Sequence, residues 1–414
     1  MSYKCWNIRT CLGLILILFQ TTLAKAQTSN VIQELYSLNG NGIDWINEVV
    51  PLQNGGWILA GYSTSTDLES ENSGKWDGLV ICLNVDFEPI WNKQFGGAWN
   101  DAFTDAIVVN DGIVLCGYKS ADKLNKDGWL IKLDFEGKII WENHYKGTGD
   151  DQLFGIDYLQ EESYLVCGWT SSDSLLTTFS STKTDGIVLR IESDGTLSWI
   201  KRFTGISNDL LVDIAVGSNG RIYASGFSDS WENNDVDKGT KSNDFWCISL
   251  SEDGQEQWSN SYGSIYQEHL TSMSVSGNSI LLSGGQRGTG KQSATSYSMY
   301  AATIDTTGKL IYDNQSFPNS ISFDGIIVDD GAIEVGYKTE VDSHKTISQI
   351  YVVKFQNDKI SSYNLPPIEG KILCVTEYED SYILGTVVSS SDLTEEIRIF
   401  GIKKAQLLNS LNKK

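Results

Sequence analysis

One short pattern constrains this chain more than any other feature. The strings ILAGY, VLCGY, LVCGW, YASGF, LLSGG, IEVGY and YILGT place Gly61, Gly117, Gly168, Gly226, Gly284, Gly336 and Gly385 at intervals of about fifty residues. An apolar strand and a polar turn precede each glycine. A polar loop and another apolar strand follow it, as in DGLVICL, DGWLIKL and DGIVLRI. No helical period separates these strands, so each unit reads as three or four short strands. Four-stranded units repeated seven times predict an all-β fold, a seven-bladed β-propeller over residues 27–404.

A second repeat lies between the glycines. LNVDFEPIWNKQFGG (83–97), LIKLDFEGKIIWENHYKG (130–147), IESDGTLSWIKRFTG (191–205) and LSEDGQEQWSNSYGS (250–264) share a turn followed by Trp and, four residues on, a second aromatic. The pairs are Trp91/Phe95, Trp141/Tyr145, Trp199/Phe203 and Trp258/Tyr262. Residues four apart in a strand share a face, so both rings can pack on a neighbouring blade. The last unit ends at IRIFGIKK without such a strand, whereas the chain opens with VIQELYS (31–37). The N-terminal strand is therefore expected to complete the last blade, with Ile32 and Tyr36 in the two aromatic positions, and so to close the ring.

These glycine and tryptophan-hairpin motifs resemble the tryptophan-docking repeats of quinoprotein-like and outer-membrane assembly propellers. They are closer still to secreted bacterial repeat proteins of the form GYxxSxD…DxWLxKLDxxGxxxWxxxYGG. The resemblance covers residues 31–404 and fades after the fourth unit. It implies a fold more than an activity. A quinone is not expected, since no adjacent cysteine pair is present.

Residues 1–26 carry Lys4 and Arg9 ahead of the apolar run CLGLILILF and end in small residues, the pattern of a secretory signal peptide. The mature chain is expected to be soluble and monomeric, in the periplasm or outside the cell, with no transmembrane segment. Residues 405–414 read as a polar tail or short helix. Net charge is −22 for the full chain and −25 without the leader's three cations, which disfavours nucleic-acid partners. The mature cysteines, Cys82, Cys116, Cys167, Cys247 and Cys374, each lie in an apolar run and read as core residues, not as disulfides.

Function is expected on the face that carries the long loops. Asp44, Asp101, Asp151, Asp209 and Glu268 recur at the blade junctions, and Trp76, Trp99 and Trp231 depart from the repeat. Repeated acids cap turns, but converging carboxylates beside exposed aromatics also suit a glycan or protein ligand. In DSWENNDVDKGTKSND, Asn233, Asp235, Asp237 and Asp244 approach the spacing of a calcium loop, with the glycine one place late. No cofactor other than this possible calcium is expected. The three histidines, two of them His144 and His269, are scattered over different repeat positions, and no nucleophile, zinc or phosphate-binding motif appears. The expectation is a non-catalytic propeller that binds a protein or glycan. The alternative is a glycan hydrolase or lyase using paired carboxylates near the central channel.

Overall fold

The computed structural model describes residues 32–411 apart from 69–73, 124, 160–162, 173–179, 230–242, 265, 288–296, 319, 329–330, 340–345, 357–358, 365–367 and 390–393. Residues 1–26, expected from sequence to be a leader, lie outside the described residues. The strands form seven antiparallel sheets. Their first strands are Asp44–Pro51, Asp101–Val109, Asp151–Leu159, Asp209–Val216, Gln267–Ser276, Ser320–Val328 and Lys371–Tyr378. Each of these strands contacts the next, and the last contacts the first, so they ring a central channel. Apolar clusters fill the spaces between neighbouring sheets; one joins Leu79, Ile81 and Leu83 of the first sheet to Ile383, Ile397 and Ile399 of the last.

The expected set of seven like, four-stranded blades is corrected. Six sheets are regular four-stranded blades, and the sheet that begins at Ser320 is five-stranded. Its third strand, Thr346–Gln356, pairs along its outer edge with two separate pieces, Lys359–Asn364 and Ile368–Glu369. Pro366 and Pro367 stand in sequence between those pieces, and proline has no N–H to offer a ladder.

Every first strand bulges at the same place. The register skips Asn47, Thr104, Phe154, Val212, Thr271, Phe323 and Leu373 in turn. This bulge explains the repeated glycine. A Cβ at Gly61 would collide with the carbonyl oxygen of Trp45, and one at Gly117 with that of Ala102. The last unit departs here too, because Thr386 and not Gly385 stands opposite the residue before the bulge, Ile372. Gly385 instead faces Cys374.

The N-terminal strand, Gln33–Leu38, pairs with Glu395–Lys403. A bulge within it shifts the frame, so the two aromatic positions expected at Ile32 and Tyr36 belong to Gln33 and Leu38. Gln33 lies opposite Gly401 as Trp91 lies opposite Cys82, and Leu38 opposite Ile397 as Phe95 lies opposite Gly78. A helix, Lys404–Leu411, follows and buries Leu407 against Ile402 and Tyr382. No helix among the described residues is long and apolar enough to cross a membrane.

Candidate functional site

The bulges decide the chemistry of the channel wall. Each first strand is also the inner edge of its sheet, so a backbone N–H on its channel side has no ladder partner and needs another acceptor. Four acids meet the need at all seven positions. Asp105 Oδ1 accepts from Ala106 of its own strand and Oδ2 from Ile156 of the next, at 2.6 and 2.8 Å. Asp213 does the same for Ile214 and Met273, and Asp324 for Gly325 and Val375. Glu48 accepts only from its own Val49, through Oε1 at 3.1 Å. A fifth acid, Asp157, links Tyr158 to Val216 two residues further along. The bulged residues add bonds in the same direction around the ring. Asn47 donates to the Phe103 carbonyl, Thr104 to that of Leu153 and Thr271 to that of Ser322.

These side chains line a central cavity of ≈ 670 Å³. Its described lining holds the carboxylates of Glu48, Asp105, Asp213 and Asp324 and no Lys, Arg or His. Removal from bulk water is the main force on their ionisation, and repulsion between like charges adds to it. Asp105 is pushed up to about 7 by burial, with Asp157 and Asp324 adding to the rise. Burial raises Glu48 and Asp213 well above the usual carboxylate range, and Asp105 repels both. Burial also raises Asp324 and Asp157, against hydrogen bonds that favour the charged form.

Aromatic rings surround the mouth where the second strands end and the third begin. Trp45 and Tyr62 stack with centroids 5.9 Å apart and planes 9° apart, and Tyr62 stacks on Trp76 at 4.8 Å and 18°. All three are half-buried. The Lys371 ammonium lies 5.0 Å from the centre of the Trp45 ring. Around the ring, His269 contacts Phe227 and Tyr297 edge-on, and Phe323 stacks on Tyr337 at 5.5 Å. Trp45, Phe227 and Phe323 also line the cavity.

The acids singled out by sequence lie one turn of the pleat away, in another role. Asp44, Asp101, Asp151, Asp209 and Glu268 are buried. Asp44 accepts from Gly40 N–H and Ser63, Asp101 from Gly97 and Ser120 N–H, and Asp151 from Gly147 N–H and Thr170. Asp209 bonds Ser228, and Glu268 bonds Ser264 and Gln286. Each ties the start of a first strand to its surroundings. Trp76 joins the aromatic mouth. Trp99 is half-buried with the Lys75 ammonium 5.9 Å from its ring centre. Trp231, Asn233, Asp235 and Asp237 lie outside the described residues, and Asp244 is buried at the start of its strand. No group of three or more His, Cys, Asp or Glu able to hold a metal occurs among the described residues.

The channel acids had a visible signature. An acid four places after the junction acid recurs as Asp44/Glu48, Asp101/Asp105 and Asp209/Asp213. Its meaning depends on the bulge, which turns that position from a strand face toward the next sheet.

No protein-family model matches the chain, and no curated protein matches it. Solved structures do. The WD40 domain of Neurospora crassa Pan2 aligns with a TM-score of 0.55 at 10% identity, covering 90% of this chain and 95% of that one. The polysaccharide lyase Uly1 aligns with a TM-score of 0.51 at 10% identity, covering 90% and 93%. The chain is a β-propeller. At such identities the likeness is one of fold.

Proposed function

We propose that this propeller is a non-catalytic binding protein, exported from the cytoplasm, that takes a hydroxyl-rich glycan at the mouth of its channel. The observation that carries the reading is the Trp45, Tyr62 and Trp76 stack, joined through Trp45 to an acid-lined cavity whose described lining holds no basic side chain. Flat aromatic faces offer apolar contact to sugar rings, and the uncommitted oxygen of Glu48 can bond a sugar hydroxyl. A concave cavity of ≈ 670 Å³ suits the end of a glycan better than the broad, flat patch of a protein interface.

The alternative, a hydrolase or lyase working through paired carboxylates, would need two free carboxyl groups, one to give and one to take a proton. Asp105, Asp213 and Asp324 each commit both oxygens to backbone N–H groups, and Glu48 alone keeps one uncommitted. This favours binding over catalysis.

The test is calorimetry of the purified chain against a panel of neutral and acidic oligosaccharides, with Trp45→Ala and Trp76→Ala beside it. Binding that weakens at least tenfold in both variants while thermal melting holds supports the reading. Glycan binding indifferent to both variants, binding of proteins alone, or release of shortened sugar products overturns it.

A further inference from the structure

Among the described residues, the junction where the ring closes lacks a part that four other junctions have. At four junctions an indole of one sheet covers the turn of the next: Trp91 over Gly137, Trp141 over Gly195, Trp199 over Gly254 and Trp258 over Gly308. At three of them the indole N–H donates to the carbonyl two residues before that glycine. These bonds run from Trp91 to Phe135, Trp141 to Ser193 and Trp258 to Thr306, at 3.0, 3.1 and 3.2 Å.

At the closing junction the indole's place belongs to Gln33, which is exposed, and its cross-strand neighbour is Gly401, against which the shorter Leu35 side chain lies. A second pocket, ≈ 420 Å³, opens there between the last sheet and the first. Its walls include Leu35 and three aromatic rings in contact: Trp57 stacks on Phe87 at 5.2 Å and meets Tyr378 edge-on at 4.9 Å. The facing turn keeps the hydrogen bonds of its counterparts, Asn84 N–H to Glu88 and Phe87 N–H to Asn84. Val85 thus presents the carbonyl that corresponds to the indole acceptor of Phe135.

The pocket is also where the backbone is strained. Phe87 (φ 62°) and Glu379 (φ 49°) are the two non-glycine residues in the left-handed region among those described, and both line it. Such strain persists where the surrounding structure enforces it and gathers at ligand sites.

We propose that this pocket receives a tryptophan side chain from a partner polypeptide, completing from outside the docking that the chain's own tryptophans perform elsewhere. The chain itself shows which chemistry fits: a flat ring against the turn, with one N–H directed at the carbonyl two residues before its left-handed residue. Phe87 modifies the fit. A Cβ at the Gly137 turn would stand 3.1 Å from the Trp91 ring, so the incoming indole must sit a few tenths of an ångström further out.

The probe is a labelled peptide with the sequence of the chain's own docking strand, residues 138–146, and its Trp141→Ala version, followed by fluorescence anisotropy on the purified chain. The tryptophan peptide is expected to bind, the alanine peptide at least tenfold more weakly. N-acetyl-tryptophanamide should compete, and N-acetyl-leucinamide should not. Gln33→Trp should fill the pocket from within, raising the melting temperature and abolishing peptide binding. No binding of the tryptophan peptide, equal binding of the alanine peptide, or undiminished binding to folded Gln33→Trp overturns the proposal. Should Gln33→Trp fail to fold, competition on the unaltered chain decides.

Discussion

Asp105 and Ile156 are 51 residues apart in sequence, yet one carboxylate oxygen joins them at 2.8 Å. Its other oxygen serves Ala106, so a single aspartate satisfies inner-edge N–H groups of two neighbouring first strands. Asp213 and Asp324 repeat the arrangement, and the strands that these three aspartates serve second carry Gly155, Ser272 and Cys374 where an acid would stand. Seven first strands shared two to an aspartate leave one over. Glu48 occupies that remainder.

Asparagine at position 105 turns one acceptor oxygen into an NH2 group aimed at a backbone donor. Asp105→Asn should therefore lose about 2–4 kcal/mol, since a buried N–H left unmet costs about 1–3 kcal/mol and a charge-assisted bond is lost as well. Glu48→Gln, which can keep its single bond to Val49, should cost under about 1 kcal/mol. Urea unfolding of the two variants checks the contrast, and equal losses would sink the account of the ring.

Stability should fall as pH rises from acid toward neutrality. Burial pushes Asp101 and Asp151 up to about 6, and Asp105 and Glu334 up to about 7. Folded, these groups bind protons that the unfolded chain releases near pH 4. Their contribution is complete below that pH and is lost as pH climbs through 6 to 7. Glu334 is buried in a strand, and one of its oxygens has no hydrogen-bond partner. Glu334→Gln should flatten the decline of the melting temperature between pH 5 and 8. A melting temperature that rises over this range would contradict the prediction.

The docking turns tie two residues into one unit. Gly137 has φ 72° and its missing Cβ leaves room for the Trp91 ring. Trp91→Ala should cost about 3 kcal/mol through lost burial, and Gly137→Ala about 2 kcal/mol through strain and crowding. Because the residues touch, the double variant should cost less than the two separate losses combined. A double-mutant cycle by chemical unfolding measures the difference, and strict additivity would show that the contact is incidental.

Glu379 is exposed and holds a left-handed conformation in a turn of the last sheet. Asparagine tolerates that conformation better, so Glu379→Asn should stabilise by about 0.5–1 kcal/mol. An unchanged or lower melting temperature would mean that the glutamate side chain contributes a compensating contact.

Much of the architecture is legible in the sequence because it rests on local rules. The spacing of Gly61, Gly117 and Gly168 marks the repeat, and the Trp91 and Trp141 hairpins mark strands that pack on a neighbour. The junction acids are legible as well, as residues that recur with the fold and serve it. The channel acids are harder to recognise, since Glu48 and Asp105 look like ordinary polar positions of a strand until a bulge turns them toward the next sheet.

The sequence by itself determined an all-β repeat whose first strand completes its last sheet, because hydrophobic alternation and turn residues act over a few positions. The tertiary structure alone decided which acids stitch the channel, that Gln33 and not Ile32 holds the missing tryptophan's place, and that one sheet departs from four strands. Those outcomes depend on register and on contacts between residues distant in sequence, where a shift of one residue exchanges one face of a strand for the other.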